Sequence, residues 1–151
     1  MGFDLYGQRA KSKRGEYFRN NVWWWRPLAE YVLENVSIPE EEAKDWQYNN
    51  GTEVSEETAL HIADTLDALI ESRHTAQYER DYKRRLESLP PERCRVCHGT
   101  GKRNDKAVKG KCSACLGKGE VENFDMLYPF NVENVREFAQ FCRESGGFRI
   151  W

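Results

Sequence analysis

Two short cysteine repeats constrain this chain more than any other feature. Residues 94–101 and 112–119 both follow the pattern C-x-x-C-x-G-x-G, and a basic segment lies between them. Two C-x-x-C pairs supply the four thiolates that a tetrahedral Zn²⁺ ion takes. The glycines after each pair permit positive φ and let backbone N–H groups approach the sulfurs. We therefore predict one zinc ion per chain, held by these four ligands: Cys94, Cys97, Cys112 and Cys115.

Three other interpretations use the same cysteines. Residues 94–98 also read C-x-x-C-H, the attachment sequence for c-type haem, but haem leaves the second pair unexplained. A thioredoxin-like redox pair needs a βαβ context that the sequence lacks. An iron–sulfur cluster also takes four cysteines and stays open as an alternative. We expect His98 to be exposed or to contact a ligand, rather than to bind the metal itself.

The closed set of ligands predicts a structural metal, because four thiolates leave no open coordination position for water or substrate. The chain contains no H-E-x-x-H sequence, no phosphate-binding glycine loop and no Ser-His-Asp arrangement. His61 and His74 have no neighbours in the sequence that suggest catalysis. We therefore expect that the protein is not an enzyme.

The doubled repeat resembles the cysteine-rich zinc region of DnaJ-type chaperones, and the resemblance covers about residues 92–121. That family carries four such units and two zinc ions, whereas this chain has two units, which implies one zinc ion. The His-Pro-Asp tripeptide of the J domain is absent. The resemblance therefore implies metal binding by the four cysteines, and co-chaperone function is not carried over.

Three further strings resemble small uncharacterised proteins of phages and bacteria. They are Trp23-Trp24-Trp25-Arg26-Pro27-Leu28, Tyr128-Pro129-Phe130-Asn131-Val132-Glu133-Asn134-Val135 and Phe141-Cys142-Arg143-Glu144-Ser145-Gly146-Gly147-Phe148. This resemblance implies no particular activity. A phage setting would favour a small inhibitor that binds a host defence protein.

The charge of the chain is unevenly distributed, although the net charge is only −2. Residues 1–20 and 91–120 are basic, and residues 21–90 are acidic. The isoelectric point near 6.0 is lower than the value above about 9 that is usual for nucleic-acid-binding domains. No apolar run of about 18 residues and no apolar signal region occur, so we expect no membrane contact and a cytoplasmic location, that of the host for a phage protein.

Hydrophobic periodicity and capping residues predict helices over residues 27–36, 56–71, 76–89 and 131–145. Pro27 suits the first turn of the first helix. Ser55, Thr75 and Asn131 are the expected N-caps of the other three, and Gly146 fits a left-handed C-cap.

Alternating segments predict a small antiparallel sheet of residues 3–6, 22–26 and 148–151. We also predict that residues 121–130 are extended and that Trp46 and Tyr48 anchor the polar connection before the helix 56–71 by being buried. The fold class is α+β: a helix-rich single domain over residues 1–151, with about four helices and residues 92–121 inserted as a zinc-binding β-hairpin with knuckles.

Exposed cations and one tryptophan are the candidate partner-binding residues. The finger contributes Lys102, Arg103, Lys106, Lys109 and Lys111, and the tryptophan run contributes Trp24 and Arg26. We expect a non-enzymatic, zinc-stabilised protein that binds another protein. The alternative is a nucleic-acid-binding module in which the finger and the basic loop 9–14 contact phosphates.

Overall fold

The computed structural model describes residues 1–151 and divides them into two units. We name Met1–Lys83 together with Tyr128–Trp151 the body unit, and Arg84–Leu127 the finger unit. The predicted insertion, residues 92–121, lies within the finger unit. The assignment of residues 1–151 to a single domain stays a prediction.

Five α-helices and eight short strands make up the chain. In chain order they are β1 (Gly2–Gly7), β2 (Tyr17–Asn21), α1 (Val22–Asn35), α2 (Glu40–Ala43), β3 (Thr52–Val54), α3 (Glu56–Glu71), α4 (His74–Glu87), β4 (Glu92–Arg93), β5 (Lys102–Asn104), β6 (Lys109–Lys111), β7 (Glu120–Val121), α5 (Val132–Ser145) and β8 (Phe148–Ile150). Single 3₁₀ turns occupy Lys13–Gly15 and Phe124–Leu127. The prediction of a helix-rich α+β fold with small antiparallel sheets is confirmed. None of the helices combines the length and apolar character needed to cross a membrane.

The main sheet has the strand order β2-β1-β8-β3, and every neighbouring pair is antiparallel. Alternation along the strands buries one face, on which Phe3, Leu5, Phe18, Phe148 and Ile150 are all at most 8% exposed. The predicted strands 3–6 and 148–151 are confirmed by β1 and β8. The third predicted strand, 22–26, is wrong: β2 takes that place, and β3 is an additional edge strand.

The tryptophan run begins helix α1 instead of forming a strand. The Asn21 side chain accepts a hydrogen bond from the Trp24 amide at 3.1 Å, which caps the helix five residues earlier than Pro27 suggests. Pro27 lies inside the helix and lacks the amide that would bond the carbonyl four residues before it. Full burial of Trp25 accompanies this arrangement: its ring stacks on Phe3, with centroids 5.4 Å apart, and its indole N–H donates to the Trp46 carbonyl at 2.6 Å.

The capping residues predict the starts of α3 and α5 and the end of α5 correctly. The Ser55 hydroxyl accepts from the Thr58 amide at 3.2 Å and caps α3. The Asn131 side chain accepts from the Asn134 amide at 2.8 Å and caps α5, and Gly146 ends α5 with φ +66°.

The predicted start of α4 is wrong. The chain breaks at Arg73, whose φ is +66°, and the helix begins at His74. Thr75 is therefore inside the first turn, buried, with its hydroxyl 2.9 Å from the Tyr31 hydroxyl. Tyr48 is not an anchor either, because it is 66% exposed, whereas Trp46 is buried as expected.

Replacing Asn131 with Ala should destabilise the body unit by about 1 kcal/mol, because the amide of Asn134 loses its capping partner. Urea unfolding followed by tryptophan fluorescence measures this, since all five tryptophans lie in the body unit. Glu137→Ala, an exposed change on the same helix, is the matched control and should shift stability by less than about 0.5 kcal/mol. Equal effects of the two changes would contradict the capping role.

Candidate metal centre

Two small antiparallel pairings frame the cysteine region. β4 pairs with β7 at its base, and β5 pairs with β6 as a hairpin between the two repeats. The Asp105 carboxylate closes the hairpin tip by accepting from the amides of Ala107 and Val108 at 2.9 and 2.8 Å. The predicted hairpin between the knuckles is thus present.

The four predicted ligands converge in one buried cluster. Their Sγ atoms all lie within 4.8 Å of one another, and each cysteine is at most 5% exposed. The Sγ atoms of Cys97 and Cys115 are 3.7 Å apart. A tetrahedral centre with metal–sulfur bonds of 2.3 Å has sulfur–sulfur edges of about 3.8 Å, so the spacing of this pair fits a single metal ion with four sulfur ligands. None of the five cysteines forms a disulfide.

The two repeats bind their sulfurs through equivalent backbone hydrogen bonds. The amide of Gly101 donates to Cys97 Sγ and the amide of Gly119 donates to Cys115 Sγ, both at 3.2 Å. The repeats also cross: the Cys94 amide donates to the Gly119 carbonyl, and the Cys112 amide donates to the Gly101 carbonyl, both at 2.9 Å. Donors directed at sulfur favour the thiolate, which is the form that binds a metal.

Close backbone approach explains why glycine ends each repeat. A Cβ atom on Gly101 would lie 2.5 Å from the Gly117 carbonyl oxygen, and one on Gly119 would lie 2.5 Å from that of Gly99. Gly101 and Gly119 have φ of +74° and +77°. The glycines are therefore required both by conformation and by space.

The thiols differ in acidity because their surroundings differ. Burial raises the pKa of Cys97, but hydrogen bonds from the Gly101 amide and from the neighbouring thiols of Cys94 and Cys115 outweigh burial and lower that pKa to about 6. For Cys112, burial dominates and raises the pKa. Cys142 lies outside the cluster, and complete burial in the body unit raises its pKa well above the usual value, as expected for a core residue.

The four sulfurs of the cluster lie around one centre. This arrangement bears on the haem and redox-pair alternatives, which use only one cysteine pair. Because Cys94 and Cys97 share that centre with the second pair, the two pairs form a single ligand set. His98 is exposed, outside the cluster, with φ +56°, and its carbonyl accepts a hydrogen bond from Arg93 at 2.6 Å. The arrangement can hold one metal ion with a complete set of sulfur ligands.

The candidate partner-binding residues fall into two groups. The first group is on the finger and includes four exposed lysines: Lys102, Lys106, Lys109 and Lys111. Arg103 is less available, since it pairs with Asp105 at 2.6 Å. The second group is in the body unit: Trp24 is half-buried in the first turn of α1, and Arg26 is exposed, with its guanidinium 3.5 Å from the Tyr128 hydroxyl.

The basic loop 9–14 is partly neutralised within the body unit. Arg9 and Lys11 both pair with the Glu56 carboxylate, at 3.4 and 2.8 Å. The Lys11 ammonium holds the pKa of Glu56 below its usual value. These two cations therefore already have an acidic partner, which reduces what the loop offers to phosphates.

An apolar cleft of about 540 Å³ in the finger unit was not predicted from the sequence. Val96, Phe124 and Leu127 line it and are each 48–50% exposed. The extended reading of residues 121–130 is wrong here, because Phe124–Leu127 form a 3₁₀ turn. The residue that could have predicted this turn from the sequence is Asn123, whose side chain accepts a hydrogen bond from the Asp125 amide at 3.0 Å and starts the turn.

Comparison with protein-family models, with curated proteins and with solved structures finds no match to this chain. The assignment of the site therefore depends on its geometry and chemistry.

If the cluster binds a metal ion, replacing Gly101 with Ala should lower the affinity for added Zn²⁺ about tenfold or more, because the added Cβ would collide with the Gly117 carbonyl and displace the amide bonded to Cys97. Competition with a chromophoric chelator measures the affinity. Gly110→Ala is the matched control: Gly110 also has positive φ, +104°, but its Cβ position is open. If both variants bind zinc as wild type does, the close approach has no role in holding the ligands.

Proposed function

We propose that this protein is a non-enzymatic binding protein whose finger unit is stabilised by one structural zinc ion. The convergence of four buried cysteine sulfurs within 4.8 Å carries the proposal. Bound there, zinc would cross-link the two knuckles, which the hairpin separates along the chain. The chain's own residues contribute the four thiolates and the two amide donors on sulfur.

The spacing of the cysteines and the glycines around them support zinc over an iron–sulfur cluster. The 3.7 Å separation of two sulfurs matches a single small ion at the centre of the set. The doubled C-x-x-C-x-G-x-G sequence, which resembles the zinc region of DnaJ-type chaperones, also supports zinc.

The completeness of the ligand set supports a role outside catalysis. Catalytic zinc usually keeps one position for water, whereas four protein thiolates occupy every position of a tetrahedral ion. Cys142, the remaining cysteine, is fully buried in the body unit and is not accessible as a nucleophile.

The apolar cleft of the finger unit supports a protein partner. Three half-exposed apolar side chains around one cleft offer a place for an apolar side chain of another protein. Arg95, Glu122 and Asp125 surround them and provide a polar rim of both signs, as in protein interfaces. A phage-encoded inhibitor of a host defence protein is one form of this function, and only the three resembling strings support that form.

Metal analysis of the purified chain should find about one zinc ion per molecule. Cys94→Ser should lose that zinc to a chelator far more readily, since the free energy of a structural zinc site is on the order of 10 kcal/mol and depends on all four ligands. Cys142→Ala, outside the cluster, should keep its zinc and is the control. Iron in place of zinc, or retention of zinc by the Cys94 variant, would contradict the proposal.

Phe124→Ala should weaken capture of the protein partner from a lysate by about tenfold or more, because truncating an apolar contact at an interface centre removes 1–2 kcal/mol or more. Quantitative pull-down with tagged zinc-loaded protein measures the change. Tyr48→Ala removes an exposed aromatic of the body unit and should leave capture unchanged. Loss of capture in both variants would place the contact elsewhere.

A further inference from the structure

The register of the finger hairpin places three lysines on one face. Lys102 lies directly opposite Lys111, and Asn104 lies directly opposite Lys109. Because alternate residues of a strand point to the same side, these four side chains share one face, which we name the lysine face. Arg103 and Gly110 form the other face. Like charges directly opposite one another destabilise a strand pair, so the hairpin folds against this repulsion.

No carboxylate of the hairpin compensates these charges. Residues 98–118 carry six lysine and arginine side chains and one acid, Asp105. Its carboxylate accepts hydrogen bonds from the Val108 amide, the Arg103 guanidinium and the Ala107 amide, which together lower the pKa of that carboxyl group. The lysines of the lysine face form no ion pair, and all three are exposed. A zinc ion with four thiolates leaves a local charge of about −2, so a basic surplus remains.

Packing against the second knuckle positions one of these lysines. A Cβ atom on Gly117 would lie 2.7 Å from both Cγ and Cε of Lys111, so the Lys111 stem lies across that glycine. Lys118, in the same knuckle, is also exposed. The position of the Lys111 ammonium therefore depends on a correctly folded metal site.

The composition of the lysine face indicates the class of ligand. It carries no aromatic or apolar side chain, whereas protein interfaces are depleted in lysine and depend on aromatic and arginine anchors. Lysine binds phosphate as a point charge, and contacts of this kind supply affinity without sequence preference. We infer that the lysine face binds the phosphate backbone of a nucleic acid, independently of the apolar cleft. The inference rests on the proposed zinc-stabilised finger.

The test compares two triple variants of the zinc-loaded full chain. Lys102→Gln/Lys109→Gln/Lys111→Gln removes the lysine face, and Lys44→Gln/Arg80→Gln/Lys83→Gln removes the same charge from exposed positions of the body unit outside the basic loop. Binding of a 20-base-pair DNA duplex and of a single-stranded RNA of about 20 nucleotides, probes of arbitrary sequence, is measured by fluorescence anisotropy across a salt series. Metal analysis of the same samples reports the zinc content.

The lysine-face variant should keep its zinc, lose about tenfold or more in affinity at low salt, and show a salt slope smaller by about 3 for the duplex. The body-unit variant should bind as wild type does. Equal losses in the two variants, or no binding by zinc-loaded wild type, would overturn the inference. Competition by polyglutamate as effective as that by nucleic acid would overturn it in favour of an acidic protein. Absence of zinc from wild type would instead count against the proposed function.

A second readout does not need a ligand. Lys111→Gln should slow amide hydrogen exchange in the hairpin by about twofold to fivefold, because it removes the direct opposition to Lys102. Lys106→Gln, at the tip and outside the paired strands, should leave exchange unchanged. Faster exchange in the Lys111 variant would mean that the lysine stabilises the fold and is not retained for a ligand.

Discussion

The convergence of four sulfurs at one point is the constraint on which the finger unit depends. The buried cluster of this region consists of the four cysteines, with Val121 packed against it. A unit as small as Arg84–Leu127 buries little apolar surface, and units of about this size are usually stabilised by a metal, by disulfides or by oligomerisation. The amides of Gly101 and Gly119 complete the site by donating to sulfur. The cysteine cluster therefore takes the place of a hydrophobic core in this unit, and a metal ion bound there would fix the two knuckles together.

The body unit is stabilised by a different interaction, the packing of aromatic rings. Trp25 contacts Trp46 and Phe138, with centroids 5.9 and 5.8 Å apart, and Phe138 also meets Phe18 and Phe148. These residues come from two helices, a loop and two strands of the sheet, so they join elements that are distant in the sequence. Ion pairs also connect helices at the surface: Arg143 of α5 pairs with Asp64 and Asp67 of α3 at 2.9 and 2.7 Å. The finger's lysines have no such partners.

Local signals were sufficient for several elements. Ser55, Asn131 and Gly146 marked helix ends correctly, because a cap is an interaction among neighbouring residues. The four cysteines were likewise evident from spacing alone. The start of α1 was not evident from the sequence, because the residue before a proline disfavours the helical conformation and Arg26 precedes Pro27. In the structure, the Asn21 cap and the burial of Trp25 among distant rings outweigh that preference.

The sequence by itself determined the four candidate ligands, because the doubled C-x-x-C spacing is specific, and the bounds of α3 and α5, because a helix cap is an interaction within a few residues. The close approach of the glycines to the opposite repeat is a tertiary contact. Tertiary structure alone decided which strands pair, that Arg9 and Lys11 meet Glu56, and that Lys102 faces Lys111. It also formed the cleft lined by Phe124. These features depend on register and on long-range packing, in which a shift of one residue moves a side chain to the opposite face.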